Sequence, residues 1–124
     1  MASRDLVLLF DSEEEILTLE HELHHFRSLP YICIIATARG TASDFVSRVF
    51  DAHGNIAEDP VTGSAHCSLI PYWSEKLGKK EMVAMQLSDR RGTLLCKDAG
   101  DRVFISGQAV TYATGCLWTN EKEA

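Results

Sequence analysis

Ser64-Ala65-His66-Cys67-Ser68-Leu69-Ile70-Pro71-Tyr72-Trp73-Ser74-Glu75-Lys76-Leu77 is the stretch on which the fold turns. It reads as a helix whose first ten residues hold Ala65, Cys67, Leu69, Ile70, Pro71, Tyr72 and Trp73, with no full charge unless His66 is protonated. A helix that is apolar on every side is stable when surrounded by protein, not when it lies on a surface. Pro71 removes the hydrogen bond its N–H would give to the Cys67 carbonyl, which predicts a kink. At its far end Glu75, Lys76, Lys79 and Lys80 read as a solvated terminus.

Working outward, Leu6-Val7-Leu8-Leu9-Phe10 is a continuous apolar run, the pattern of a strand covered on both faces. Ser12 then offers an N-cap, and Glu13, Glu14 and Glu15 put negative charge on a first helical turn. Ile16, Leu19, Leu23 and Phe26 give that helix one apolar stripe, and Pro30 marks its end. Tyr31 to Thr37 predicts a second buried strand, and Asp44 to Phe50 a shorter one. Beyond Gly78 the pattern predicts strands at Met82–Leu87, Thr93–Lys97, Arg102–Ser106 and Gln108–Trp118, with turns at Arg90-Arg91-Gly92 and Asp98-Ala99-Gly100-Asp101. The order is strand, helix, two strands, helix, four strands. It predicts a single α+β domain over residues 1–124, with a curved, largely antiparallel sheet wrapped round the Ser64 helix and the Ser12 helix on an outside face.

The whole chain, 124 residues with 45% hydrophobic and 24% charged, suits one domain that folds without a metal or disulfide staple. A net charge of −6 and the lack of a basic stripe argue against nucleic acid as a partner. No apolar run reaches the roughly 18 residues of a spanning helix, and the N-terminal apolar run is too short for a signal peptide. These readings exclude a membrane partner and place the chain in the cytoplasm. Cys33, Cys67, Cys96 and Cys116 are widely spaced with no CxxC pair, which suits buried small hydrophobes in a reducing compartment. Trp73 and Trp118 read as core or interface anchors, and Arg48, beside an apolar strand end, as a salt-bridge partner.

Two segments carry chemistry. His21-Glu22-Leu23-His24-His25 matches HExxH, the helical zinc-protease motif. At about 100° per residue, however, His21 and His25 point nearly opposite the Ile16–Phe26 stripe, into solvent, so no metal site is expected. Glu58-Asp59-Pro60-Val61-Thr62-Gly63-Ser64-Ala65-His66 is the stronger candidate. Pro60 fixes the chain direction, and Gly63 lets backbone approach a ligand. The N–H groups of Gly63, Ser64, Ala65 and His66 would fan out at the positive end of the helix, a cradle for a carboxylate or a developing enolate. Thr62 and Ser64 add hydroxyls, and Asp59 stands ready for a substrate ammonium or hydroxyl. His66 also admits a reading as a core residue.

The string EDPVTGSAHCSLIPYWSEKLGK resembles the hallmark of the phenazine-biosynthesis isomerase (PhzF-like) family, relatives of diaminopimelate epimerase. The likeness continues through Ser3-Arg4-Asp5-Leu6, Thr37-Ala38-Arg39-Gly40, Asp44-Phe45-Val46-Ser47-Arg48, Gln86-Leu87-Ser88, Arg90, Gly92 and Gly100 to Gly107. It implies a mixed sheet curled into a barrel round a central helix, and cofactor-independent isomerisation by proton removal and return. It further implies that Asp59 and Ser64 line a substrate pocket whose loop amides, from Gly63 onward, bind a carboxylate. Only the C-terminal half of such proteins is resembled, and the family's general acid/base carboxylate has no counterpart here. A half-domain leaves one broad face open, so two copies are expected to pair as a homodimer round a small carboxylate-bearing metabolite. The opposing reading is a non-catalytic binding or assembly module, or a fragment, that lacks the half carrying the base.

Overall fold

The computed structural model describes residues 4–20, 28–53 and 58–120. The apolar runs become the strands of one seven-stranded sheet: β1 (Asp5–Leu9), β2 (Cys33–Arg39), β3 (Phe45–Asp51), β4 (Glu58–Asp59), β5 (Glu81–Gln86), β6 (Gly92–Asp98) and β7 (Val103–Ser106). Their spatial order is β1-β2-β3-β5-β6-β7, with the two-residue β4 added to β3. β1 pairs with β2, and β3 with β5, in parallel; the other pairs are antiparallel.

Two short helices cover this sheet on opposite faces, one over β1 to β3 and the other over a span from β2 to β7. Side chains alternate across a strand, so Ile34, Ala36, Val46 and Phe50 face one way, where Ile16 of α1 (Glu13–Leu17) closes a core with Leu6 and Leu8. Ile35, Phe45, Val49, Met82, Ala84, Leu94 and Cys96 face the other way, onto Leu69, Ile70 and Trp73 of α2 (His66–Leu77). Trp73 is fixed in direction as well as depth. Its ring stacks on Phe45 at 5.8 Å between centroids, and its Nε1–H donates to Thr37 Oγ1 at 3.0 Å. Ser12 caps α1 through the Glu15 amide, and Gly78, at φ 65°, ends α2 in the left-handed conformation that glycine adopts without a Cβ clash. Arg48 is paired as the sequence suggests: its guanidinium meets both Glu58 oxygens at 2.7 and 2.9 Å and donates to the carbonyls of Ile16 and Leu19.

Several expectations are corrected. The sheet does not close into a barrel: it ends at β1 and β7. The segment expected to add the last strand, Gln108–Trp118, pairs with no strand among the described residues and is exposed throughout. Consequently α2 buries one side only, and Cys67, Ser68, Pro71, Tyr72 and Glu75 stand open. β1 is an edge strand rather than one covered on both faces, with Val7 and Leu9 exposed beyond the reach of α2. α1 ends at Leu17; the expected continuation through Leu23 and Phe26, and the HExxH segment, fall outside the described residues. Trp118 is no core anchor, at 96% exposure. Cys96 is buried as expected, but Cys67 and Cys116 are exposed and Cys33 half-buried; all four are free thiols. No helix among the described residues is long and apolar enough to cross a membrane.

Candidate functional site

The segment from Asp59 to Ala65 leaves β4 and enters α2, and its backbone is held from beneath almost atom by atom. Gln86, fully buried at the end of β5, gives the loop three hydrogen bonds. Its Oε1 accepts from the Thr62 N–H at 2.8 Å, while Nε2 donates to the Asp59 carbonyl at 2.8 Å and to Thr62 Oγ1 at 3.1 Å. Ser88 Oγ donates to the Pro60 carbonyl at 2.8 Å and accepts from the Arg91 N–H, which fixes its hydroxyl. The Thr62 carbonyl accepts from His66 Nδ1 at 2.8 Å, and the Gly63 carbonyl from the His66 N–H at 3.0 Å. Val61 lies so close over Gly92 that a Cβ there would collide with the Val61 side chain.

This pinning orients the outward face. In a trans peptide the carbonyl of one residue and the N–H of the next point opposite ways, and no peptide here is cis. Drawing the carbonyls of Thr62 and Gly63 inward therefore turns the amides of Gly63 and Ser64 outward. Among the described residues the amides of Gly63, Ser64 and Ala65 have no hydrogen-bond partner. The expected four-amide cradle narrows to the two that reach the surface, Gly63 and Ser64, because Ala65 is fully buried. The His66 amide is lost to it as well, since the chain enters α2 through a tight turn in which its N–H closes on Gly63, and those of Cys67 and Ser68 close on Ser64 and Ala65.

The side chains divide between two sides of the loop. Ser64 is exposed, and its Oγ accepts from Arg4 Nη2 at 3.1 Å, which brings a guanidinium from the start of β1 to the beginning of α2. Arg4 is itself held by Asp5, at 2.8 and 3.2 Å. The Asp5 carboxylate balances much of the guanidinium's charge, so the preference for an anion rests on the outward amides and the positive end of the helix, with Arg4 as a directional donor beside them. Asp59 is half-buried and lines an open cleft of about 880 Å³ with Gly63, Arg90 and Arg91. Thr62 is buried, and its hydroxyl is turned to Gln86, away from the surface. Ala65 and His66 are fully buried. His66 Nδ1 meets a carbonyl, so it carries the proton; Nε2 then holds a lone pair, and no donor among the described residues reaches it. Burial lowers the tendency of this imidazole to protonate, partly offset by its bond to Thr62. Of the predicted site residues, then, Asp59, Gly63 and Ser64 reach open space with their side chains or amides. Thr62 and His66 act from below, and Ala65 is buried with them.

Gln86, Ser88, Gly92 and Arg4 carry roles that residue-by-residue reading missed. All four fall in short segments through which the family resemblance runs, the one signal in the sequence that singled them out. Among the described residues no three His, Cys, Asp or Glu side chains gather as a metal site would require.

Residues 1–115 match the family model for phenazine biosynthesis-like proteins, PhzC–PhzF. The chain belongs to the PhzC–PhzF family. It is 47% identical over 110 residues to an uncharacterized isomerase of Pseudomonas aeruginosa, which covers 89% of this chain and 42% of that protein. A mouse phenazine biosynthesis-like domain-containing protein is 55% identical over 75 residues, 60% of this chain and 26% of its own. A crystal structure of a PhzC/PhzF protein from Clostridium difficile superposes with a TM-score of 0.84 at 49% identity, over 95% of this chain and 46% of that one. A PhzF-family structure from Enterococcus faecalis gives 0.84 at 38% identity, over 94% and 45%. This PhzC–PhzF chain therefore spans less than half the length of these relatives.

Proposed function

We propose that this chain supplies the carboxylate-binding half of an isomerase-type site for a small carboxylate-bearing metabolite, and that a second copy completes the cleft. One observation carries the reading: the carbonyls of Asp59, Pro60, Thr62 and Gly63 are engaged inward, so the amides of Gly63 and Ser64, unpaired among the described residues, face out near the Arg4 guanidinium. Such an array is preorganised for a carboxylate and for the enolate that forms when a proton leaves the neighbouring carbon. Proton transfer needs a titratable group within reach of that carbon. Asp59 is the candidate that faces the cleft, and in a pair of copies the cleft holds two of them. Ser64 positions the carboxylate through its amide and through Arg4. Chemistry of this kind moves a proton from one carbon to another and calls on no cofactor.

The burial of His66 favours a second reading. With its imidazole beneath the loop and bonded to Thr62, Asp59 alone remains for the chemistry, which suits a binding module that does not turn over. One experiment separates the two. The chain is incubated in D2O with a panel of small mono- and dicarboxylic acids, including amino and hydroxy acids, and followed by NMR. Catalysis gives deuterium at the carbon next to the carboxylate, and Asp59→Asn abolishes it. A binding module shifts the Gly63 and Ser64 amide resonances without exchange. If no acid at millimolar concentration moves those resonances, or Arg4→Ala leaves the affinity unchanged, the carboxylate site is wrong.

A further inference from the structure

Residues 107–120 leave β7 and run on in neither strand nor helix, carrying Val110, Tyr112, Leu117 and Trp118 at 93%, 101%, 95% and 96% exposure. Their order is far from that of a solvated tail. Positions two apart lie on one face of an extended chain, and here Val110, Tyr112, Thr114, Cys116 and Trp118 share one face while Ala109, Thr111, Ala113, Gly115 and Leu117 share the other. The segment holds no charged residue. A face that carries both aromatic rings, backed by one that is small up to Leu117, describes a strand that inserts its large side chains into a core.

A receiving surface adjoins the root of this segment. α1 covers only the β1–β3 half of its side of the sheet, and apart from Met85, which packs on that core, the outward apolar residues of β5, β6 and β7 are bare. Val83 and Leu95 sit directly opposite each other, and Phe104 follows on β7, with exposures of 39%, 54% and 57%. They line a groove of about 430 Å³ whose rim carries Lys79, Glu81 and Lys97. Ser106 lies in the groove wall, and the segment begins at the next residue.

The geometry points to a strand exchange between two copies of this chain: residues 107–120 of each lie in the β5–β7 groove of the other, beside its β7 edge. Donor and acceptor are neighbours on each copy, so a twofold axis next to β7 satisfies both contacts at once with a short crossing. A second copy fits better than an unrelated partner because each copy bears the same two deficits, and the exchange repairs both. The area suffices: the four aromatic rings of two segments bring about 600–1,000 Å², and Val110, Leu117 and the groove residues extend this towards the roughly 1,200–2,000 Å² of a stable interface. Gly107 and Gln108 also line the cleft that holds Asp59, so the exchange sets the second copy against the candidate site.

The inference rests on the pairing of two copies proposed for the site, and the test separates them. The full chain is studied by light scattering and by Trp118 emission in a Trp73→Phe background, from about 0.1 to 100 μM, a span chosen around Kd values on the order of micromolar. A dimer that shields Trp118 from iodide, and that falls to monomer with unchanged circular dichroism in Trp118→Asp and in Phe104→Asp, supports the exchange. Both substitutions fall on exposed positions, so the monomer fold tolerates them. A dimer that persists in both variants, or leaves Trp118 quenchable, overturns the exchange and spares the pairing. A monomer throughout overturns both. Shielding of Trp118 only when the remaining part of a PhzC–PhzF relative is added as a separate chain assigns the segment to that part, and also overturns the exchange.

Discussion

At the scale of single residues, Gln86 and His66 do the most from concealment. One carboxamide answers three loop atoms, so its loss strands the Thr62 N–H and the Asp59 carbonyl. Gln86→Leu is expected to cost about 1–3 kcal/mol in urea unfolding, the penalty for an unpaired buried group. Carboxylate binding should weaken with it, as the loop amides lose their direction. His66 makes stability depend on pH. Its folded-state affinity for a proton is lowered by burial, so the unfolded chain binds more protons below the ordinary value of 6.5. Stability is then complete above pH 6.5 and declines as pH falls, by at most about 1.4 kcal/mol per unit, until the buried imidazole itself protonates. His66→Asn keeps a donor for the Thr62 carbonyl and removes the titration. Urea midpoints at pH 5, 6, 7 and 8 should therefore slope less for the variant than for the parent; parallel slopes would exclude His66 as the source.

At the scale of elements, what the sequence disclosed and what it hid divide along contact range. β2, β3, β5 and α2 were legible because their apolar runs are local and each is buried by its immediate neighbours. The turns at Arg91 and Gly100, both with positive φ, were marked by their own residues. Gln86 was not legible as a scaffold for the loop, since its partners lie 24 and 27 residues away and meet it only through the pairing of β3 with β5. The same holds for Arg4, 60 residues from Ser64. The wrapped sheet failed for a related reason: Gln108–Trp118 has strand-like alternation, but alternation does not bring a segment to an edge, and after Ser106 the chain runs on without turning back along the open side of β7. The packing of Val61 over Gly92 joins the two ends of the site. Gly92→Ala should push the loop aside and weaken carboxylate binding several-fold, whereas Gly92→Ala with Val61→Ala should recover much of it. A titration followed by amide NMR reads both, and failure of the second change to restore binding would show that the glycine matters for another reason.

At the scale of the whole molecule, thiol chemistry gives a direct account of what is covered. Cys67 and Cys116 are exposed, whereas burial pushes the Cys96 thiol up to about 11 and raises that of Cys33 as well. At pH 8 and high dilution, a chromogenic disulfide should titrate two cysteines quickly and two slowly. Where copies associate through residues 107–120, Cys116 should join the slow class while Cys67 stays fast, and mass spectrometry of the labelled peptides identifies which is which. Equal protection of Cys67 and Cys116 would place the interface over α2 instead.

The bond between Arg4 and Ser64 joins the root of the edge strand β1 to the turn that enters α2. An anion held there touches both, and so acts as a clasp on an open edge of the sheet. Occupancy would be felt as slower fraying of residues 4–9, and backbone deuteration of that strand becomes a reporter of binding in a molecule where nothing else need move.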